Sequence, residues 1–364
     1  MTPSLSLREE FNDNILMERG HKPVWGSILS PKLRWGAATE RLDVQTDLSA
    51  RLARYRGVQG LNTNDVSLRV DTQYTLERGR WGFAGSSIRD STRRSELQET
   101  GRVLQERRRS LRSADGFWEK RLTEQMSLRN QYQFSNIRYA GEGEGFFDYQ
   151  IRMGSVDLTY ALSERDSITS GFQVLRYRSA GIQSLDMGLK VGLIHLFSKT
   201  LQTTVSIGGR QISSDSSLGG RENKADEQGM FGAFSMEKRF ESALWQGGLD
   251  RSVNPSGSGS LLLVDHLFGR FRREISATVE VSLAAHAYNT RALRPGLPNR
   301  ESRAFNVEPA WRLRWDEHWS MMVSYRYLWQ RTSGGSSTDS NAVNWTVSYQ
   351  GPKWMDSLEG LSTE

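Results

Sequence analysis

Apolar and polar residues alternate along most of this chain, in long segments separated by short polar connections. In residues 42–52, every second position from Leu42 to Leu52 is Leu, Val, Thr or Ala, and the positions between them are Asp, Gln, Ser or Arg. Residues 66–76 and 305–315 repeat the pattern. Successive side chains of a β-strand point to opposite faces, so a period of two predicts strands with one apolar and one polar face.

The alternation extends over the whole chain and leaves no room for a separate catalytic domain. An even strand number is typical of a bacterial single-chain outer-membrane barrel. We predict an all-β, transmembrane, antiparallel up-and-down barrel of about 18 strands, with 16 as the other count, formed by residues 1–354 and followed by a tail at 355–364. The predicted strands are residues 3–11, 25–37, 41–55, 65–77, 80–90, 102–121, 125–139, 148–162, 166–179, 185–197, 201–215, 225–240, 243–254, 259–273, 275–290, 300–315, 319–331 and 340–354.

The connections between these strands alternate in length. Outer-membrane barrels have short periplasmic turns and longer extracellular loops, so the two lengths predict an orientation. The short connections, placed in the periplasm, are 38–40, 78–79, 123–124, 163–165, 198–200, 241–242 and 316–318. The long connections, placed outside, are 12–24, 56–64, 91–101, 140–147, 216–224, 291–299 and 332–339. Near Gly154 the alternation changes phase, which predicts a β-bulge.

The turn motif of residues 122–128 recurs at 162–168 and more loosely at 197–203, 240–244 and 315–321, with a spacing of roughly 40 residues. A repeat of that length fits a propeller blade, a pair of solenoid helices or a barrel hairpin. The alternating segments inside each repeat favour the hairpin.

Aromatic side chains distinguish a membrane barrel from a soluble β-sandwich. Several lie on the apolar face near predicted strand ends, as the interfacial girdles of a barrel require. Charged residues on the other face would be intolerable in a sandwich core and are ordinary in a wet lumen. The predicted interfacial aromatics are Trp311, Trp315, Tyr325, Tyr327, Trp329, Trp345 and Tyr349.

Composition agrees with this interpretation. The mean hydropathy is −0.59, and no run of roughly 18 apolar residues offers a transmembrane helix. The net charge of +6 comes from 48 basic and 42 acidic residues that are scattered, which is weak support for nucleic-acid binding. We interpret the one dense cluster, Arg107 to Arg109, as a strand end or lumen lining.

The first residues show no signal peptide, so we expect either a mature sequence with a new Met, which the strand pattern favours, or a cytoplasmic chain. The chain has no cysteine, which removes disulfides and cysteine-based catalysis and fits passage through an oxidising periplasm.

Candidate catalytic and metal-binding groups are few. The five histidines, at positions 21, 195, 266, 286 and 318, lack metal-ligand spacing. His286 shares a strand face with Ser282 and Glu280, but positions four apart on a strand are about 13 Å apart. The Gly-rich stretches 141–145 and 256–260 lack the residues of phosphate or calcium loops. We therefore expect no enzyme activity, no cofactor and no metal.

The remaining chemistry belongs to the polar face. Its charged rows either stabilise the wall by pairing with each other or line a hydrated path whose groups bind a solute. The predicted lumen-lining residues are Asp43, Asp47, Arg51, Arg69, Asp71, Arg129, Asp157, Arg210, Glu280, Glu308, Arg312, Arg314 and Arg326.

Several segments resemble a family of outer-membrane porins associated with exopolysaccharide biosynthesis and exosortase (PEP-CTERM) systems. Residues 3–15 are similar to that family's first strand and loop entry, residues 89–109 to its middle, and residues 162–168 to its hairpin turns. The resemblance covers most of the chain, although only 89–109 is specific. The chain departs from it at the end, where ten residues follow Trp354.

The resemblance implies a channel that exports an exopolysaccharide or related glycan across the outer membrane of a Gram-negative cell, beside a capsule or biofilm system, together with periplasmic export components. The alternatives are a general diffusion porin for small solutes, a plugged structural or adhesive barrel and an outer-membrane hydrolase. The expected partners are the lipid bilayer and the solute or polymer in the lumen.

Overall fold

The computed structural model describes residues 1–100, 107–141, 146–216, 223–257, 259–293, 301–333 and 335–352, with the backbone alone for residues 97–100, 223 and 260. Eighteen strands and one helix form in these ranges. They are β1 (Thr2–Asn12), β2 (Val24–Ala38), β3 (Leu42–Arg56), β4 (Thr63–Leu76), β5 (Gly79–Ser91), α1 (Thr92–Thr100), β6 (Arg108–Arg121), β7 (Met126–Tyr139), β8 (Tyr149–Ala161), β9 (Asp166–Ser179), β10 (Ile182–Ser198), β11 (Leu201–Ser216), β12 (Asn223–Arg239), β13 (Ala243–Ser256), β14 (Ser260–Glu274), β15 (Val279–Leu293), β16 (Glu301–Arg314), β17 (Trp319–Thr332) and β18 (Ser337–Gln350).

The strands form one closed antiparallel barrel. Each strand pairs with its neighbours in sequence, and β1 closes the ring on β18 from Ser4↔Gln350 to Asn12↔Ala342. Closure matters because an open edge would leave backbone donors and acceptors unpaired in lipid. The prediction of an up-and-down barrel with 18 strands is confirmed.

The two ends of the barrel differ. The turn end carries the predicted short connections together with residues 275–278, and the chain starts and β18 finishes there. The loop end carries the predicted long connections. Two further connections at the loop end, residues 180–181 and 257–259, are short hairpins that the length rule did not predict.

Two sequence predictions about the wall are wrong. The sixth strand begins at Arg108 rather than at residue 102, because residues 92–100 form α1. The bulge at Gly154 is absent, since Gly154 pairs in continuous register with Tyr132 on β7 and with Val174 on β9. A register shift occurs instead between Leu196 and Ser198 on β10.

The change of phase near Gly154 has another cause. Tyr149, Ile151 and Met153 lie on the inner face of β8 and pack against a buried cluster inside the barrel, whereas Val156 and Tyr160 lie on the outer face and are exposed. The apolar residues of this strand therefore change face, and the backbone register does not change.

One hairpin leaves the wall. Pairing between β12 and β13 ends at Gly232↔Arg251, while β13 and β14 remain paired as far as Ser256↔Ser260. We call residues 252–264 the inner hairpin. Adjacent residues of its β14 half, Leu261 and Leu262, are only 2% and 1% exposed although they point to opposite faces. A wall strand has one face toward lipid, so this segment lies inside the barrel.

An ion pair across the gap supports the inward position. Arg291 lies on the outer face of β15 by register, yet its Nη2 is 3.1 Å from Oε1 of Glu227 on the inner face of β12. The two faces meet only if the loop end of β13 to β15 leans into the barrel. Within the described residues, no helix has the length and apolar character needed to cross a membrane.

Candidate functional site

The cross-strand register places the predicted charged residues on one face of the barrel. Pairs such as Asp47↔Arg69 and Glu280↔Arg312 lie opposite each other on this face. The predicted aromatics lie on the other face, where Trp345 is opposite Val323 and large apolar side chains are exposed. The inner-face charged residues are Asp43, Asp47, Arg51, Arg69, Asp71, Arg129, Asp157, Arg210, Glu280, Glu308, Arg312, Arg314 and Arg326. The outer-face aromatics are Trp311, Tyr325, Tyr327, Trp329, Trp345 and Tyr349, with Trp315 in the adjoining turn.

Most of these charged residues form ion pairs. Their N···O distances lie between 2.7 and 3.7 Å, and several partners were not among the predicted residues. The pairs are Asp47 with Lys32 and Arg34, Arg51 with Asp65, Arg69 with Asp71, Arg129 with Glu119, Asp157 with Lys190, Arg210 with Asp186, Glu280 with Arg312 and Arg314, and Arg326 with Glu10. Asp43 accepts a hydrogen bond from Gln45, and Glu308 accepts one from Ser324.

The pair of Arg210 and Asp186 is structural. Both side chains are nearly inaccessible, at 4% and 1% exposure, and Arg210 Nη1 is 3.2 Å from Asp186 Oδ2. The guanidinium also lies 4.4 Å from the centre of the Phe231 ring. Because neither group is accessible, this pair does not contact a solute, and loss of either partner would leave a buried charge that is strongly destabilising.

Two clefts on the inner face remain open. The basic cleft, of about 400 Å³, is lined by Lys32, Arg51 and Arg94 with serines of β1, β2, β3, β17 and β18. The acidic cleft, of about 330 Å³, lies on β3 to β7 and is lined by Asp43, Asp71 and Asp115 with three glutamines. Groups of opposite sign therefore face the lumen from different stretches of wall.

Helix α1 lies inside the barrel. The guanidinium of Arg93 is 5.3 Å from the ring centre of Tyr55, an inner-face residue of β3. Oε1 of the buried Glu96 accepts a hydrogen bond of 3.1 Å from the backbone N–H of Gly257, at the tip of the inner hairpin. Since α1 follows β5 and Gly257 follows β13, this bond joins nearly opposite sides of an 18-strand ring.

The β7–β8 connection reaches the same hairpin tip. Phe147 N–H donates a hydrogen bond of 2.8 Å to the Gly257 carbonyl. A Cβ added at Gly257 would lie 2.4 Å from the Tyr139 hydroxyl and 2.9 Å from Phe146. A larger residue at this position would have to displace these two side chains.

Apolar side chains fill the space around these contacts. One cluster gathers inner-face residues of β7 to β11 against the inner hairpin, and Tyr177 at its centre is fully buried. A second cluster packs the β1–β2 connection against β2 and β3. The first cluster consists of Ile137, Tyr149, Leu175, Tyr177, Ile182, Ile212, Val253, Leu261 and Leu293. The lumen is therefore narrowed by apolar packing at the loop end, below which its wall is charged.

Histidines meet on the inner face of β14 and β15. His286 does not contact Ser282 or Glu280; its Nδ1 is 3.0 Å from Nε2 of His266, whose Nδ1 is 3.0 Å from Asp250 Oδ1. The two imidazole rings are nearly coplanar and meet edge to edge, with centres 5.3 Å apart, and the Tyr288 ring centre lies 4.5 Å from that of His266. No group of three metal-ligating side chains occurs among the described residues.

Sequence reasoning missed α1, the inner hairpin and the two apolar clusters. A signal for the hairpin was available, because residues 261–264 are four consecutive apolar residues, Leu-Leu-Leu-Val, in a chain that otherwise alternates. A strand that is apolar on both faces is buried on both faces. The change of phase at 149–156 was a second signal, which the bulge prediction misinterpreted.

A closed antiparallel barrel with exposed apolar side chains outside, charged rows inside and short turns at one end has the architecture of large outer-membrane channels and transporters. No family model matches the chain, and no curated protein is significantly similar to it in sequence.

Solved structures share the fold. OpdK of Pseudomonas aeruginosa, crystallised with vanillate, aligns with a TM-score of 0.51 at 12% identity over 96% of this chain and 98% of its own. OpdQ of the same organism aligns with a TM-score of 0.50 at 9% identity over 97% and 99%. The ferric citrate transporter FecA aligns with a TM-score of 0.52 at 10% identity over 91% of this chain, which spans 60% of FecA. At these identities the likeness is one of fold.

Proposed function

We propose that this protein is an outer-membrane channel for the passive movement of small hydrophilic solutes, without covalent chemistry. The observation that carries the proposal is the narrowing of the lumen at the loop end. There the inner hairpin, α1 and the β7–β8 connection meet across the barrel through Gly257.

The ring of 18 strands is wide enough for solutes larger than these. Barrels of 16 to 18 strands enclose an aqueous channel, so the inner elements, and not the wall, determine what fits. A narrow passage suits single small solutes better than an extended polysaccharide. The neighbour crystallised with vanillate, a small aromatic carboxylate, also favours a small-solute channel over exopolysaccharide export.

The solute chemistry follows from the wall. In the basic cleft Lys32, Arg51 and Arg94 lie among serine hydroxyls, which suits carboxylate and hydroxyl groups. Several ion pairs elsewhere on the inner face fix a charged group in place while leaving it partly exposed, as for Arg312 at 44%. We propose small carboxylates and polyols as the solutes.

Conductance in planar bilayers tests the channel. Purified full-length protein should give discrete current steps, and liposomes that contain it should swell in small carboxylates and polyols but not in oligosaccharides of increasing length. Absence of current above background would instead identify a plugged structural barrel. Equal swelling rates for long oligosaccharides would restore the export hypothesis, as would accumulation of polymer in the periplasm of a deletion strain.

A further inference from the structure

Exposed arginines collect on the outer face of the barrel at the loop end of β7, β8 and β9. We call Arg138, Arg152, Arg176 and Arg178 the arginine patch; all four are exposed. Arg152 lies directly opposite Arg176, and Arg178 lies opposite Gln150, one outer-face position further toward the loops. The patch therefore points away from the lumen, so the proposed channel function does not involve it.

The patch adjoins the apolar band that faces lipid. On β9 the next outer-face residues toward the turn end are Val174 and Phe172, and Phe172 is 43% exposed. On β8 Val156, which is also 43% exposed, lies two outer-face positions from Arg152. Outer-face positions are about 7 Å apart along a strand, so the guanidinium groups lie where hydrocarbon gives way to head groups.

One described acidic residue, Asp148, lines a surface cleft with Arg138 and Arg178, and its Oδ1 accepts a hydrogen bond from the Tyr139 backbone N–H. No ion pair joins any of the four arginines to a described acidic residue, in contrast to the paired arginines of the inner face. Like charges directly opposite on neighbouring strands are destabilising. The Arg152↔Arg176 arrangement therefore costs stability in the free protein, and a bound anion would relieve that cost.

The patch also has an aromatic contact. The Arg152 guanidinium lies 5.9 Å from the ring centre of Phe134, its outer-face neighbour on β7. An arginine over an aromatic ring remains free to bind phosphate through the edge of its planar fork. Further exposed outer-face arginines, Arg89 and Arg112, continue the positive charge along β5 and β6.

We infer that the arginine patch binds the phosphate groups of an acylated, phosphorylated glycolipid of the outer leaflet, with its acyl chains on the apolar band beside Val174 and Phe172. Guanidinium groups bind phosphate bidentately. The continuous apolar surface below the patch selects a lipid over a free anion. The inference requires only that the loop end faces outward.

Native mass spectrometry of the detergent-purified protein with bisphosphorylated lipid A tests the inference. The wild type should retain lipid A, and lipid A without its phosphates should bind at least about tenfold more weakly, because several charge-assisted hydrogen bonds are lost. The triple variant R152Q/R176Q/R178Q should show the same loss with phosphorylated lipid A. Its folding is checked by heat-dependent mobility in gels, and its bilayer conductance should equal that of the wild type.

The chain offers a matched control. Arg303 and Arg331 also lie directly opposite each other on the outer face of β16 and β17, but Glu301 and Asp339 share that face. The variant R303Q/R331Q should bind lipid A as the wild type does. Equal binding by the patch variant and this control overturns the inference, and so does displacement of lipid A by millimolar inorganic phosphate.

Discussion

The exposure of each inner-face charged side chain determines whether it can contact a solute. Arg210 is buried with Asp186, whereas Arg312 and Arg326 are 44% and 27% exposed beside Glu280 and Glu10. Alternation along the sequence predicted that these residues share a face, because the period of two is a local property. It could not predict their partners, since pairing depends on register between strands, and most of the missed partners, such as Lys190 and Glu119, lie on other strands.

Reversing charge at the exposed arginines should change ion selectivity. The double variant R312E/R326E replaces two positive groups by negative ones, so the reversal potential in a salt gradient should shift toward cation selectivity. The effect should weaken as salt rises, because a Debye length falls from about 10 Å at 0.1 M to about 3 Å at 1 M. An unchanged reversal potential would show that these side chains do not line the path, and R303E/R331E on the outer face is the control.

Tyr177 tests whether the inner apolar cluster contributes to stability. Tyr177 is fully buried, with 0% of its surface exposed to solvent, and its ring centre lies 5.5 Å from that of Tyr149. Truncating a large buried aromatic residue costs about 3 to 5 kcal/mol, so Y177A should lower the free energy of unfolding in urea by about 3 kcal/mol or more. Tyr160, which is 42% exposed on the outer face, is the control, and an equal loss for Y160A would contradict the packing argument.

At the scale of elements, the strands were predicted well and the inner elements poorly. Helix α1 was not predicted because its nine residues, TRRSELQET, contain a single apolar side chain and therefore show no helical period of apolar positions. The inner hairpin was predicted to be part of the barrel wall, because β13 and β14 have the strand length and the short turn that are typical of a barrel hairpin. What distinguishes it from a wall hairpin is its apolar β14 half, residues 261–264, in which Leu261 and Leu262 are buried in clusters on opposite faces.

Shortening the inner hairpin should widen the passage. Asn254 and Leu262 are opposite each other, so residues 255–261 can be replaced by Asn-Gly, which forms a two-residue hairpin turn. This variant loses the Gly257 bonds to Glu96 and Phe147, and its single-channel conductance should rise severalfold. The control replaces residues 332–336 of the β17–β18 connection by Asn-Gly between the opposed Arg331 and Ser337. A rise of the same size in the control would contradict the assignment of the constriction.

The whole molecule is held by a ring of backbone hydrogen bonds that closes between β1 and β18. Its closing pair runs from Ser4↔Gln350 to Asn12↔Ala342, so every strand is complete before residue 353. The predicted boundary at residue 354, the tail at 355–364 and Trp354 lie outside the described residues. The orientation of the two ends in the membrane remains a prediction from connection lengths.

Truncation after Pro352 should therefore leave the purified barrel able to form. After refolding into detergent, the shortened chain should show the same heat-dependent gel mobility and the same bilayer conductance as the full chain. Failure to refold would show that the last twelve residues contribute to closure, which the β1–β18 register does not require. A truncation after Asn341, which removes every β18 residue of that register, is the comparison.

Among the described residues, the departure of the inner hairpin leaves residues 223–231 of β12 paired with β11 but without a strand partner on the β13 side. Hydrocarbon cannot satisfy such an edge, and each unsatisfied group costs several kcal/mol. We therefore expect water to reach the barrel's flank at this level, where Gln228, Asp226 and Lys224 are exposed on the outer face. Since the chain has no cysteine, Q228C in lipid vesicles should react with a charged thiol reagent, while L189C on the lipid-facing side of β10 should stay protected. The gap between β12 and β13 thus predicts the level on this side of the barrel at which the hydrocarbon of the bilayer ends, because the backbone groups there need water as a hydrogen-bond partner.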